Sequence, residues 1–199
     1  MRNFLFISID DLNDWTNDLG GYSGVVHTPN LDALMASGVT FNNAYSQVAL
    51  CNPSRISILS GKSPLQTQVF SNGEDWEKTV DPSETLFGVM KANGYQSVGT
   101  GKLLHGHRFS PAQNMMFDSY FFGGGDNTRV NLDGKPVGVY NGTEPLADEI
   151  RADFVVDFLQ NYTSDPNNPL FMSVGLIKPH TEWVVPQRFF DLYPLDSIR

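Results

Sequence analysis

Residues 51–61 read CNPSRISILSG and contain the only cysteine of the 199-residue chain. Asn52 is typical of a helix N-cap, and the proline after it suits the first helical position, where its missing N–H costs nothing. Gly61 predicts a left-handed stop to the same helix. Cys51 is therefore expected just outside the positive end of a short helix, where oriented N–H groups favour an anion. Arg55 lies one turn further on, so the segment is a candidate site for a nucleophile that acts on an anionic group.

The same segment resembles the sulfatase signature Cys-x-Pro-Ser-Arg-x-x-x-Leu-x-Gly. Every fixed position of that signature is filled here, by Cys51, Pro53, Ser54, Arg55, Leu59 and Gly61. The resemblance implies that a formylglycine-generating enzyme oxidises Cys51 to formylglycine, whose hydrated aldehyde is the nucleophile of the family. An isolated cysteine is more often a small buried hydrophobic residue, but six matching positions in eleven favour the signature.

Composition and charge limit the other possibilities. A chain of 199 residues without a long linker is expected to form one domain with a sizeable core. The formal net charge of −9 and the lack of a basic stripe argue against nucleic acid as a partner. One cysteine allows no internal disulfide, and no segment is long and apolar enough to span a membrane.

The largely apolar run Phe4–Ile9 is too short for a signal peptide and is followed at once by two aspartates. Either the protein stays inside the cell or a leader precedes this numbering. Members of the resembled family are usually periplasmic, secreted or lysosomal.

Two largely apolar segments, residues 4–9 and 170–177, predict strands that are covered on both faces, and residues 95–100 predict a further strand. Residues 81–94 and 144–162 between them have apolar stripes at helical spacing. Strands that alternate with helices indicate a parallel sheet with right-handed crossovers. The sequence therefore predicts an α/β fold with a mostly parallel sheet flanked by helices on both faces, which the resemblance makes alkaline-phosphatase-like.

Three further segments connect these elements. A helix is expected to open at Thr28-Pro29 and to end at Gly38, followed by a short extended segment over residues 39–45. Residues 109–142 are predicted to form a long, glycine-rich and aromatic loop that shapes a substrate pocket.

Asp10 and Asp11 follow the first predicted strand, at the edge where open α/β sheets bind ligands. A solvated acidic turn or a helix cap is the ordinary explanation of such a pair when it stands alone. Sulfatases carry two aspartates after their first strand as calcium ligands, and the resemblance assigns this role to Asp10 and Asp11, with Cys51 as a further ligand. Two carboxylates favour calcium, or else magnesium, over zinc.

Lysine and histidine residues follow the other two predicted strands. Lys102 and His105 match a Gly-Lys-x-x-His element of the family, and Lys178 and His180 belong to a Lys-Pro-His element. A lone lysine or histidine after a strand is usually solvated surface. The Lys-Pro-His element and the segment after it resemble the iduronate-2-sulfatase branch of the family.

The resemblance implies roles for these residues in hydrolysis of a sulfate ester on a sulfated carbohydrate. Arg55 and Lys102, together with calcium, would neutralise the sulfate oxygens. His180 is assigned as the acid for the leaving alkoxide and His105 as the base for the hydrated aldehyde, and the two roles are exchangeable. Lys102, Lys178 and His180 are the predicted substrate-binding residues.

Two alternatives stay open at this stage. The first is a phosphomonoester or phosphonate hydrolase of the same superfamily, and the second is a fragment that turns nothing over. Family members continue beyond the Lys-Pro-His element and supply further calcium ligands, another lysine and a smaller carboxyl-terminal domain. Residues 1–199 are therefore expected to be the amino-terminal part of a sulfatase catalytic domain, and to be inactive alone.

Overall fold

A computed structural model describes residues 2–106, 111–124 and 136–198 of the chain. The strands are β1 (Phe4–Ile9), β2 (Gln96–Gly101), β3 (Ser119–Phe121), β4 (Val137–Tyr140), β5 (Leu170–Leu176) and β6 (Trp183–Pro186). The helices are α1 (Pro29–Ser37), α2 (Cys51–Ser60), α3 (Pro64–Thr67), α4 (Leu86–Ala92), α5 (Pro111–Met116), α6 (Ala147–Asn161) and α7 (Gln187–Phe190). Short 3₁₀ turns span Trp76–Lys78, Pro82–Glu84 and Leu195–Ser197.

The chain divides into two compact units. The first unit comprises residues 1–8, 46–125 and 147–176, and the second comprises residues 9–45, 126–146 and 177–199. In the described parts of the chain, no helix is long and apolar enough to cross a membrane.

The first unit contains a four-stranded sheet in the order β1-β5-β2-β3. Strand β2 is parallel to both β3 and β5, which confirms the predicted mostly parallel α/β architecture. Phe171 of β5 packs with α2 and α4 in one apolar cluster, whereas its neighbours Leu170 and Met172 pack with α6 in another. Because adjacent strand residues point to opposite faces, these two clusters show that helices cover both faces of the sheet.

Strand β1 differs from its prediction. Phe4, Leu5 and Ile7 are each about half exposed, at 48%, 49% and 49%. The reason is position, because β1 is the outer strand of the described sheet and its apolar run is not enclosed as that of β5 is. A continuous apolar run was therefore not sufficient to predict burial on both faces.

Several connections also differ from the sequence prediction. Residues 39–45 form no strand, and Val39 and Tyr45 are more than four-fifths exposed, because no strand in the described part of the chain pairs with them. The helix expected to begin at Asp81 consists of a 3₁₀ turn followed by α4, since Thr85 caps α4 through the N–H of Gly88.

The predicted loop 109–142 contains α5, β3 and β4, which it was not expected to form. Its remaining residues 109–110 and 125–135 lie outside the described part of the chain. Strand β3 forms because it pairs in parallel with β2, a contact that the local sequence does not reveal.

The second unit contains α1, α7 and a two-stranded parallel sheet formed by β4 and β6. Helix α1 spans the predicted segment, and Gly38 follows its last residue as expected. The apolar face of α1 is not buried, and Leu34 is 62% exposed.

Candidate active site

Helix α2 begins at Cys51, with Leu50 at the N-cap position, so the prediction that Asn52 caps this helix is wrong. The reason is that the Asn52 side chain is buried and its Nδ2 donates to the main-chain carbonyls of Ser71 and Glu74 instead. Cys51 is half-buried and stands in the first turn of the helix rather than just outside it. Gly61 is the predicted left-handed stop, with φ 67°.

Arg55 joins α2 to the segment that follows β2. Its Nη1 donates to the carbonyl oxygens of Lys102, at 2.6 Å, and Leu103, at 3.2 Å. Arg55 and Lys102 are both buried, and His105 is half-buried. The first unit therefore brings the guanidinium predicted to act on the sulfate into direct contact with the main chain of the predicted lysine.

Two glycines let the ends of β2 and β5 approach closely. Gly101 pairs with Gly175, and the N–H of Lys102 donates to the Gly175 carbonyl at 2.8 Å. A Cβ on Gly175 would come within 3.0 Å of the Lys102 main chain, closer than real Cβ atoms come. Gly101 has φ +79°, which residues with a side chain rarely adopt. The chain can therefore turn sharply after β2 and direct Lys102 beside Arg55.

Tyr120 on β3 supports the same turn, since its hydroxyl donates to the carbonyl of Gly101. Desolvation raises the pKa of the phenol to about 12, although the positive charges of Arg151 and Arg55 act in the opposite direction. Tyr120 is therefore neutral, and able to donate, throughout the physiological range.

This shift predicts a pH dependence of stability. An unfolded tyrosine has a pKa of about 10, so the folded state holds the Tyr120 proton more tightly, and the free energy of unfolding falls as pH rises from about 10 to 12. Tyr120→Phe should cost about 1 kcal/mol at pH 8 through loss of the hydrogen bond. Urea unfolding should show this deficit shrinking at pH 11, because the variant has no phenol to ionise. Tyr45→Phe is the control, because Tyr45 is exposed and its replacement should leave the pH dependence of unfolding unchanged. If the stability deficit of Tyr120→Phe were constant with pH, Tyr120 would not be the group responsible for the pH dependence.

Asp10 and Asp11 follow β1 and belong to the second unit. Asp10 is buried, at 6% exposure, whereas the Asp11 side chain is 56% exposed. Asp11 has φ 56°, a left-handed conformation that aspartate tolerates better than most residues. The chain thus turns at the end of the strand.

His180 lies beside both carboxylates of the pair. Its Nε2 is 3.8 Å from Oδ2 of Asp11, and a ring nitrogen lies within 4.8 Å of a carboxylate oxygen of Asp10. Its Nδ1 contacts the carbonyl oxygen of Thr181, and because a carbonyl only accepts, Nδ1 must carry a hydrogen. Nε2 is therefore the ring atom that faces Asp11 and can take up or release a proton.

Lys178 occupies the turn that leads to His180. Its Nζ donates to the carbonyl of Glu182, and Trp183 Nε1 donates to the Pro179 carbonyl at 2.6 Å. These contacts close the loop around residues 178–183 within the second unit.

Sequence reasoning missed the residues that support the predicted ones. Gly175, Tyr120 and Asn72 have no place in the signature, yet they contact Lys102, Gly101 and Asn52. Only Gly175 carried a signal, because a glycine inside a buried strand often marks a close approach of another backbone.

Comparison with known proteins identifies the family. The sulfatase family model matches residues 2–195, and the chain therefore belongs to the sulfatase family. A sulfatase of Formosa agariphila is 34% identical over 221 residues, covering 99% of this chain and 43% of the relative. Iduronate 2-sulfatase of Mus musculus is 31% identical over 214 residues, covering 98% of this chain and 38% of the relative. The chain thus spans less than half the length of these curated relatives.

Solved structures share the fold. A protein in complex with its substrate D-glucosamine-2-N,6-O-disulfate has a TM-score of 0.64 at 23% identity, covering 90% of this chain and 35% of that chain. A phosphonate monoester hydrolase of Agrobacterium radiobacter has a TM-score of 0.72 at 16% identity, covering 100% of this chain and 45% of that chain. At these identities the likeness shows the alkaline-phosphatase-like fold alone.

Proposed function

We propose that this chain contributes the nucleophile and the first calcium ligands of an enzyme that hydrolyses sulfate esters of a sulfated carbohydrate. The observation that carries the proposal is the complete signature of residues 51–61 on α2, in a chain of the sulfatase family. The substrate class is supported by similarity to iduronate 2-sulfatase and by the fold shared with a protein bound to a disulfated sugar.

The nucleophile is assigned to residue 51 after a formylglycine-generating enzyme has oxidised the cysteine. The hydrated aldehyde would supply a hydroxyl that attacks sulfur and a second hydroxyl through which the aldehyde reforms. Cys51 stands half-buried in the first turn of α2, where the helix dipole favours negative charge. That position suits a group that becomes anionic as it reacts.

Asp10 and Asp11 are assigned as calcium ligands, with residue 51 as a further ligand. Their donor chemistry fits a hard divalent cation, since both offer carboxylate oxygens and Asp10 is held in a buried position. The left-handed turn at Asp11 gives the second carboxylate a direction different from that along the strand. Calcium would supply positive charge to the sulfate oxygens.

Arg55 and Lys102 are assigned to neutralise the negative charge of the sulfate group. Arg55 also fixes the Lys102 main chain, so it acts both through its own charge and by positioning the lysine. Buried cations of this kind are worth more than solvated ones, because little water screens them. Lys178 is assigned to substrate binding.

His180 is assigned as the acid that protonates the leaving alkoxide, and His105 as the base for the hydrated aldehyde. The contact of Nδ1 with Thr181 leaves Nε2 of His180 as the atom that exchanges a proton.

The substrate assignment is tested by a direct comparison of esters. The complete enzyme, coexpressed with a formylglycine-generating enzyme, should show a kcat/KM for an aryl sulfate at least about 100-fold above that for the matching aryl phosphate and phosphonate esters. Omitting the coexpression should lower the sulfatase rate. A preference for the phosphorus esters would replace the proposal by a phosphomonoester or phosphonate hydrolase.

A further inference from the structure

Helix α2 receives its N-terminal cap from outside the helix. Leu50 occupies the N-cap position, and its apolar side chain cannot accept a hydrogen bond. The N–H groups of a first helical turn have no acceptor within the helix, so an acceptor must come from elsewhere. Oδ1 of Asn72 does this, accepting from the N–H of Asn52 at 3.0 Å.

The side chain of Asn52 also bonds to the segment that contains Asn72. Its side chain is 1% exposed, and Nδ2 donates to the carbonyl oxygens of Ser71, at 3.0 Å, and Glu74, at 2.9 Å. Both partners can only accept, so the orientation of the amide group is fixed. Its Oδ1 has no hydrogen-bond partner among the described residues, so the two donated bonds account for the orientation.

The segment that holds α2 is itself closed. The carboxylate of Glu74 accepts from the N–H groups of Phe70 and Ser71, the second at 3.1 Å. Residues 70–74 therefore form a turn tied by its own side chain, and three hydrogen bonds join this turn to Asn52. We refer to it as the 70–74 turn.

We infer that the 70–74 turn, through Asn72 and Asn52, positions Cys51 for reaction. Asn52 fills a variable position of the signature and immediately follows the nucleophile. Because the two residues are adjacent, the three hydrogen bonds of Asn52 also fix the main chain at residue 51. Asn52 and Asn72 are positioning residues, since they act through residue 51. The effect on catalysis rests on the proposed function, whereas the effect on the main chain at residues 51 and 52 does not.

The structural part is tested by hydrogen exchange. Asn72 is exposed, so Asn72→Ala should fold, and loss of the acceptor should speed exchange of the Asn52 amide at least about fivefold. Asn72→Asp keeps an acceptor at the helix N-terminus and should retain most of the protection. Asn93 is the matched control because its amide donates to the Val89 carbonyl in α4, and Asn93→Ala should leave exchange at Asn52 unchanged.

The catalytic part is tested by turnover of an aryl sulfate. Asn72→Ala should lower kcat about tenfold with little change in KM, because displacement of a nucleophile costs rate rather than binding. Asn72→Asp should restore most of kcat, and Asn93→Ala should match the wild type. A merely structural role for Asn72 would lower the melting temperature without changing kcat per folded molecule.

The results separate the two proposals. Unchanged exchange at Asn52 in Asn72→Ala would overturn the inference, whatever the enzyme hydrolyses. Faster exchange with an unchanged kcat would overturn the positioning role alone. A wild-type enzyme that has no sulfatase turnover but shows the expected exchange pattern would contradict the proposed function instead.

Discussion

Cys51→Ala should abolish sulfate ester hydrolysis, lowering kcat by about 10⁴-fold or more. Alanine has no group that can be converted to an aldehyde, so the reaction loses its nucleophile while the rest of the site remains. The substitution removes one half-buried sulfur atom at the first turn of α2, so folding should be little affected. Steady-state turnover of an aryl sulfate, with circular dichroism to confirm the fold, measures the effect.

Cys51→Ser should fail as well, because a serine hydroxyl has no second hydroxyl through which sulfate is expelled. Ser60→Ala is the matched control, since Ser60 lies on the same helix outside the fixed positions of the signature, and its hydroxyl contacts only the nearby main chain, donating to the Ile56 carbonyl and accepting from the N–H of Lys62. It should keep nearly full turnover. Substantial activity in Cys51→Ala would reject the formylglycine assignment.

Removal of calcium should lower turnover by about 100-fold to 1,000-fold, the usual cost of losing one major source of charge stabilisation. Chelation followed by readdition should show that calcium restores the rate better than zinc, because carboxylate oxygens prefer hard cations. Asp11→Ala should reproduce much of this loss without unfolding, since its side chain is more than half exposed.

Asp18 provides the control for this substitution. It is an exposed aspartate of the same unit that is not a predicted ligand, so Asp18→Ala changes the charge equally and should leave turnover and its calcium dependence intact. If exhaustive chelation and Asp11→Ala both left turnover unchanged, the two aspartates would not be metal ligands.

The sequence predicted well those features that are determined locally. The apolar run of β5 and the helical stripe of α6 were found because burial on the sheet leaves a strong periodic or continuous pattern. The glycine stop of α2 was found because its left-handed conformation requires a particular residue type.

The features that sequence reasoning missed depend on residues distant in the chain. Asn52 is a residue type that often caps helices, but its Nδ2 donates to two carbonyl oxygens about twenty residues later in the chain, and these bonds fix the side chain. The apolar run of β1 does not reveal which strand, if any, lies on its outer side. Strand β3 is only three residues long and is defined by its partner β2, so its own sequence contains little signal.

The close approach of Gly101 and Gly175 restricts how this part of the protein can evolve. Most crowded positions can accept a larger residue once neighbouring side chains have changed, because those neighbours can be exchanged in turn. At Gly175 the obstacle is the main chain of Lys102, which every amino acid possesses, so no second substitution nearby can make room. A lineage that keeps this close approach of the two strands is therefore bound to inherit the glycine on β5, whichever residue stands at position 102.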